Sequence, residues 1–149
     1  MHSRVCVAFM TYHGNNEAIA DALSKGFEDA GCEVSLHPIR RTGPRDLPEH
    51  DLLVISSPVR MGNVVRRTRR FVKGLPSGSR VAMVITHASE RDGSRYSPDR
   101  PASELVASMR SRGVDVVTGT RFLRVLDAKG PLEEGWEDEL SGLVDSLCG

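Results

Sequence analysis

An almost wholly apolar run, Val5-Cys6-Val7-Ala8-Phe9, passes directly into a polar stretch, Met10-Thr11-Tyr12-His13-Gly14-Asn15-Asn16-Glu17, and on into a helical pattern beginning Glu17-Ala18-Ile19-Ala20. This junction constrains the fold more than any other part of the chain. A strand without polar alternation is buried on both faces, as in a parallel sheet covered by helices. A tight loop from such a strand into a helix leaves the first helical N–H groups without intrahelical partners, and the macrodipole adds partial positive charge. That arrangement is an anion site. Thr11, Asn15 and Asn16 offer side-chain donors, His13 a further one, and Gly14 tolerates positive φ and close approach. The junction therefore predicts phosphate binding by Thr11, Tyr12, His13, Gly14, Asn15 and Asn16. Without a ligand the same residues make an ordinary helix start. Neither a Gly-Lys-Ser/Thr phosphate loop nor a Gly-x-Gly-x-x-Gly dinucleotide turn is present.

The remaining chain alternates strand and helix patterns. Ile19, Leu23 and Phe27 line one helix face that ends near Gly31. Residues 33–39 suit a second strand, and Leu52-Leu53-Val54-Ile55 reads as a central parallel strand. Val65, Thr68, Phe71, Val72 and Leu75 line a second helix, and residues 80–86 make another central strand. Ala102, Leu105, Val106 and Met109 mark a third helix stopped by Gly113. Residues 114–117 and 121–125 form an outer strand interrupted at Gly119, and Trp136, Leu140, Leu143, Val144 and Leu147 face the last helix inward. Between the second and third strands a helix is missing or reduced to the loop 40–50. The alternation predicts an α/β protein: one domain over residues 1–149, three α/β/α layers, and a parallel sheet with right-handed crossovers.

Charge and cysteine usage narrow the function classes. Twenty Lys and Arg balance twenty Asp and Glu, so no general field for nucleic acid exists. The balance is local. Arg60, Arg66, Arg67, Arg69, Arg70 and Lys73 cluster without an acid, while Asp127, Glu133, Glu134, Glu137, Asp138, Glu139 and Asp145 face Lys129 alone. The basic run is either a solvated helix face or a docking patch for an acidic redox partner or anionic membrane. Cys6, Cys32 and Cys148 are widely spaced, with no CxxC and no zinc spacing, which points to a reduced, cytoplasmic compartment. Cys6 reads as a small core residue. His2, His37 and His50 lack partners at metal spacing, so no metal site is expected. No signal peptide, transmembrane run, repeat or low-complexity tract is visible.

Thr11-Tyr12-His13-Gly14-Asn15-Asn16-Glu17 resembles the phosphate loop of flavodoxin-like proteins, Ser/Thr-x-Thr-Gly-Asn-Thr followed by an acid. Thr11, Gly14, Asn15 and Glu17 match; His13 and Asn16 stand where that family carries threonine. Ser56-Ser57-Pro58-Val59-Arg60-Met61-Gly62 resembles the family's Gly-Ser-Pro-x-Tyr-x-Gly segment, which wraps the isoalloxazine ring; Ser57, Pro58 and Gly62 match. The resemblance implies a flavodoxin-like fold with five parallel strands in the order 2-1-3-4-5 and FMN as cofactor. The ligand then lies at the carboxyl ends of the strands, where the order reverses between the first and third. It implies FMN contacts from Thr11, Tyr12, His13, Gly14, Asn15, Asn16, Ser57, Pro58, Val59, Arg60, Met61 and Gly62. Thr86 and His87, leaving the fourth strand, fall near the pyrimidine side of the flavin. Arg60 and Met61 replace stacking aromatics, so a cation beside the ring would favour its reduced form. Residues 87–100 are long for a strand–helix connection and read either as a mobile loop or as a lid whose Tyr96 covers the ring.

Three functions follow from this resemblance. The first is an FMN-binding protein in electron transfer or flavin-dependent redox chemistry, with no protein nucleophile and no catalytic side chain required. The second is a quinone-linked oxidoreductase resembling flavodoxin-type protoporphyrinogen oxidases, which carry Ile-Arg-Tyr-Gly where Val59-Arg60-Met61-Gly62 stands here. The third is a module that has lost FMN and binds proteins. The implied partner is a redox protein or a small-molecule or quinone acceptor, with the chain a monomer or homodimer. A response-regulator receiver is excluded, because its acidic positions hold Met10-Thr11 and Ser56-Ser57.

Overall fold

The computed structural model describes residues 3–127 and 129–148. Strand β1 (Arg4–Phe9) is followed by α1 (Asn15–Asp29), β2 (Glu33–Pro38), β3 (Leu52–Arg60), β4 (Asn63–Val64) and α2 (Arg66–Lys73). Then come β5 (Arg80–His87), α3 (Asp99–Ser111), β6 (Asp115–Val116), β7 (Arg121–Arg124) and α4 (Trp136–Cys148). The sheet runs β2-β1-β3-β5-β6, with β7 also on β5. All pairings among these strands are parallel. β6 and β7 are the two halves of the interrupted outer strand, so the order corresponds to the expected 2-1-3-4-5.

Strand alternation divides the core between the two faces. Cys6, Ala8, Leu53, Ile55, Val81, Met83 and Ile85 pack against Phe71 and Val72 of α2 and Ala102, Leu105 and Met109 of α3. Their chain neighbours Val5, Val7, Leu52, Val54, Ala82 and Val84 pack against Ile19, Leu23 and Phe27 of α1 and Leu140, Leu143 and Val144 of α4. Successive side chains of a strand point to opposite faces, so an uninterrupted apolar run serves both layers at once. Edge strand β2 is less demanding, and its Leu36 stays exposed. No helix forms between β2 and β3. The turns of this connection instead lay Ile39 and Leu47 on the α2 face, with Pro44 against Gly74 at the end of α2.

One element departs from expectation. The segment after Ile55 is not a loop: β3 continues to Arg60, turns at Met61-Gly62 and returns as antiparallel β4. Both turn residues have positive φ, 51° at Met61 and 78° at Gly62, as a tight hairpin of this hand requires. Pro58 fits inside the strand for a topological reason. β1 pairs with β3 only as far as Ser56, whose carbonyl accepts the Met10 N–H. Pro58 has the same parity as Ser56, so its missing N–H faces the side that β1 has already vacated.

Candidate functional site

The carboxyl ends of β1, β3 and β5 meet at the reversal of strand order, and a cavity of about 260 Å³ lies there. It is lined by Thr11, Tyr12, His13, Asn15 and Asn16 from the β1–α1 loop, and by Pro58, Val59, Arg60, Met61 and Gly62 from the hairpin. Thr86, His87 and Tyr96 come from the end of β5 and the loop beyond it. The structure thus gathers the anticipated residues at one place, apart from Gly14 and Ser57. Gly14 is the N-cap of α1 with φ 89°, and its N–H is donated to Thr11 Oγ1 at 2.9 Å. A Cβ at Gly14 would meet open space, so its requirement is conformational. Ser57 is buried and its hydroxyl bonds Thr68 Oγ1 at 2.7 Å, joining β3 to α2.

Asn16 is also used differently from a simple phosphate donor. It is buried, its Nδ2 donates to Thr86 Oγ1 at 3.0 Å, and its Oδ1 accepts from Ser56 Oγ at 2.8 Å. The side chain therefore ties the start of α1 to the ends of β3 and β5, fixing where the helix N-terminus points. The first-turn N–H groups of Asn15, Asn16 and Glu17 have no preceding helical turn to bond. They give the loop the character of an anion site, with the Thr11 hydroxyl, the Asn15 amide and exposed His13 beside them.

Two cations stand at the mouth. The Arg60 guanidinium lies 4.3 Å from the centroid of the Tyr12 ring, and that of Arg40 lies 5.1 Å from it. Arg40 also donates to the Thr11 carbonyl at 3.5 Å. Arg60 is thus held by a ring of the β1–α1 loop, and each such contact is worth about 0.5–1 kcal/mol at an exposed position. Met61 is 91% exposed at the hairpin tip, so the missing aromatic is not replaced by packed side chain there.

His87 ends β5 almost fully buried, edge-on to Phe122 at 6.1 Å between centroids. Its Nδ1 lies 2.8 Å from the Ser89 carbonyl, which can only accept, so Nδ1–H is the donor in this contact. Residues 88–98 close over this end. Ser89 Oγ donates to the Tyr96 carbonyl, and Arg91 binds Asp99 at 2.6 Å while lying over Phe122. A Cβ on Gly62 would sit 2.8 Å from the Arg95 carbonyl, so the hairpin tip and this loop are in contact only because position 62 is glycine.

Ala88, Ser89 and Val125 line the cavity too, and Arg40 reaches its rim. Ala88 and Ser89 belong to the 87–100 loop, for which the sequence pointed only to His87 and Tyr96 as contacts, whereas Arg40 and Val125 lie outside the three loops at the reversal of strand order. Arg40 and Val125 follow the ends of β2 and β7, so applying the same strand-end rule to the outer strands would have found them. Among the described residues no group of three or more His, Cys, Asp and Glu is placed to hold a metal ion. His2 lies outside the described residues.

No protein-family model matches the sequence. Solved structures do match over nearly the whole chain. Flavodoxin 2 from Bacillus cereus superposes with a TM-score of 0.77 at 15% identity, covering 97% of both chains. Flavodoxin 1 from the same organism gives 0.74 at 15% identity, covering 96% of this chain and 95% of its own. A Streptococcus pneumonia flavodoxin gives 0.74 at 16% identity, covering 97% of both. These likenesses show that the chain has the flavodoxin fold, a three-layer α/β/α architecture.

Proposed function

We propose that this chain binds FMN in the cavity between the β1–α1 loop, the β3–β4 hairpin and residues 88–98, and works as a flavin-dependent redox protein. The observation that carries the proposal is the convergence of three loops, chosen from the sequence for flavin contacts, on one cavity at the reversal of strand order. The donor set fits the cofactor. A helix N-terminus with a hydroxyl, an amide and an imidazole suits a phosphate dianion. The other end offers Tyr96, Met61 and Pro58 for a flat ring, with Thr86 and His87 as polar partners at its edge.

Bound FMN would supply reversible electron and hydride-equivalent chemistry; the protein positions and tunes it. Thr11, His13, Asn15 and the first-turn amides of α1 hold the phosphate. Asn16 keeps that helix start in register with β3 and β5. Arg60, held on Tyr12, places positive charge at the mouth, which favours negative charge developing on a neighbouring group. His87, its Nδ1 held by the Ser89 carbonyl, stands at the ring end as a polar partner. Residues 88–98 and the hairpin tip limit water at the ring end.

A second reading, a flavin-dependent enzyme acting on a small-molecule or quinone acceptor, has its own support. A second, more open hollow of about 590 Å³ shares His87 with the first; charged side chains such as Arg91, Arg121, Arg124 and Glu133 dominate its lining, with Phe122 and Trp136 beside them, which suits a polar acceptor. Either activity fits a cytoplasmic protein, and no helix among the described residues is long and apolar enough to cross a membrane.

The test is an absorbance scan of the purified protein, then FMN titration followed by flavin fluorescence quenching. Saturable 1:1 binding is expected, with riboflavin weaker. Thr11→Ala loses the acceptor for the Gly14 N–H and should weaken FMN about fivefold, equivalent to about 1 kcal/mol. A folded protein that shows no FMN binding overturns the proposal in favour of the flavin-free interaction module.

A further inference from the structure

Cys32 and Cys148 lie 116 residues apart in sequence, yet their sulfurs are 3.8 Å apart. Three independent features of the fold bring them together. First, α1 ends in a left-handed turn: Gly31 has φ 91°, its N–H is donated to the Glu28 carbonyl, and the Cys32 N–H is donated to the Phe27 carbonyl. This pair of bonds is the Schellman arrangement, which folds the residue after the glycine back onto the helix end. Second, α4 packs closely on α1 because Gly26 faces Val144; a Cβ at position 26 would lie 3.2 Å from Val144 Cγ2. Third, Cys148 follows Val144 by four residues, so it shares the face that meets α1 and projects one turn further along. The thiols are free, with Cys32 half-buried and Cys148 exposed.

We propose that Cys32 and Cys148 form a reversible intramolecular disulfide that ties α4 to the end of α1, making this pair a redox modification site distinct from the flavin cavity. The phosphate loop opens the amino end of α1 and the cysteine pair closes its carboxyl end, roughly 20 Å away along the 15-residue helix. A disulfide needs the sulfurs roughly 1.8 Å closer than they stand, within reach of small side-chain rotations. Cys6 cannot compete: it is buried in the core, with its sulfur beside Ser35 Oγ at 3.5 Å.

The oxidant is a small-molecule disulfide, RS–SR. The Cys32 thiolate attacks one of its sulfurs, forming a mixed disulfide and releasing RS⁻, which takes up the proton Cys32 gave up. Cys148, deprotonated in turn, attacks the Cys32 sulfur and releases the second RS⁻, which is likewise protonated. Two protein S–H bonds and one RS–SR bond are replaced by one protein S–S bond and two RSH. The protein loses two electrons and the oxidant gains them. The Cys148 thiol is pushed up to about 11 by partial burial, by Cys32 and by Asp145. The contribution of Cys32 disappears once that sulfur is capped, and proximity then favours the second attack. In a reducing compartment such a pair acts as a transient, environment-dependent tie.

The experiment exposes the reduced 149-residue chain to oxidised glutathione at mildly alkaline pH. Acid quenching and alkylation under denaturing conditions follow, then peptide mass spectrometry. The expected product is a monomer carrying a Cys32–Cys148 crosslink, with Cys6 alkylated. Its thermal midpoint should be higher than that of the reduced protein and return on treatment with dithiothreitol. Cys32→Ser and Cys148→Ser should each stop at a stable glutathione adduct on the remaining partner and lose the shift. Wild-type protein that accumulates glutathione adducts on both cysteines, crosslinks between chains, or leaves both thiols free would overturn the proposal. The test requires no flavin, so its failure is separate from failure of FMN binding.

Discussion

Replacing Asn16 with alanine should separate the structural role of this residue from any role in ligand binding. The substitution deletes two buried hydrogen bonds, Ser56 Oγ to Asn16 Oδ1 at 2.8 Å and Asn16 Nδ2 to Thr86 Oγ1 at 3.0 Å. Each is worth about 1 kcal/mol net, and the Ser56 hydroxyl is left as a buried donor without its acceptor, costing about 1 kcal/mol or more. Alanine's better helix propensity returns only a few tenths of a kcal/mol. The expected loss is roughly 2–4 kcal/mol, a large part of a typical total of about 5–15 kcal/mol. At this chain length the thermal midpoint should fall by about 5–15 °C. Urea unfolding followed by circular dichroism, without ligand, measures the loss directly. Pairing Asn16→Ala with Thr86→Val should give non-additivity of about 1 kcal/mol, because both changes delete the same bond. Asn16→Asp keeps an acceptor for Ser56 and suits the helix N-terminus, so it should cost less stability but repel a phosphate. If Asn16→Ala stays within about 0.5 kcal/mol of wild type, the buried network does not anchor the helix start.

With FMN bound, Arg60→Glu should lower the flavin midpoint potential in spectroelectrochemical titration by at least roughly 40 mV per electron, the equivalent of about 1 kcal/mol; an unchanged potential removes Arg60 from the tuning. Gly62→Ala combines positive φ with a Cβ 2.8 Å from the Arg95 carbonyl, so it should displace residues 88–98 and speed tryptic cleavage at Arg91 and Arg95. Hydrogen bonding to Arg91 holds Asp99 below the usual carboxylate range. Its contribution to stability is therefore present above an ordinary carboxylate pKa of about 4 and lost as pH falls through the depressed value; Asp99→Asn should flatten that acid limb of the melting curve. Reversing Arg66 and Arg70, both exposed on α2, should slow reduction by an acidic partner and flatten its salt dependence, since steering is screened over about 10 Å at 0.1 M salt. Rates indifferent to salt and to these charges would leave α2 as a solvated surface.

Much of the site was legible because it is built from local signals. Thr11, His13 and Asn15 are close together in the chain, and the strand before them and helix after them follow from periodicity alone. The loops at the other end of the cavity follow from a general rule about strand ends in parallel sheets. What could not be read was which way each side chain faces within those loops. Ser57 and Asn16 stand in motif positions, yet their polar atoms are consumed by Thr68, Ser56 and Thr86. A motif specifies residue types along the chain, whereas hydrogen-bond partners depend on what the neighbouring strand or helix presents at the same height.

By itself the amino-acid order determined the alternation of strands and helices, the two-faced burial of the central strands and the absence of a helix between β2 and β3. Those properties depend on hydrophobic period and turn residues, which act over a few positions. Tertiary structure alone decided that β3 runs on through Pro58, because only the point where β1 stops leaves its missing N–H uncontested. It decided that Arg40 and Arg60 share the Tyr12 ring. It also brought Cys32 and Cys148 within 3.8 Å, through a helix crossing set by Gly26 and Val144. Contacts between distant residues are fixed by packing of finished elements, and no window of sequence contains that information.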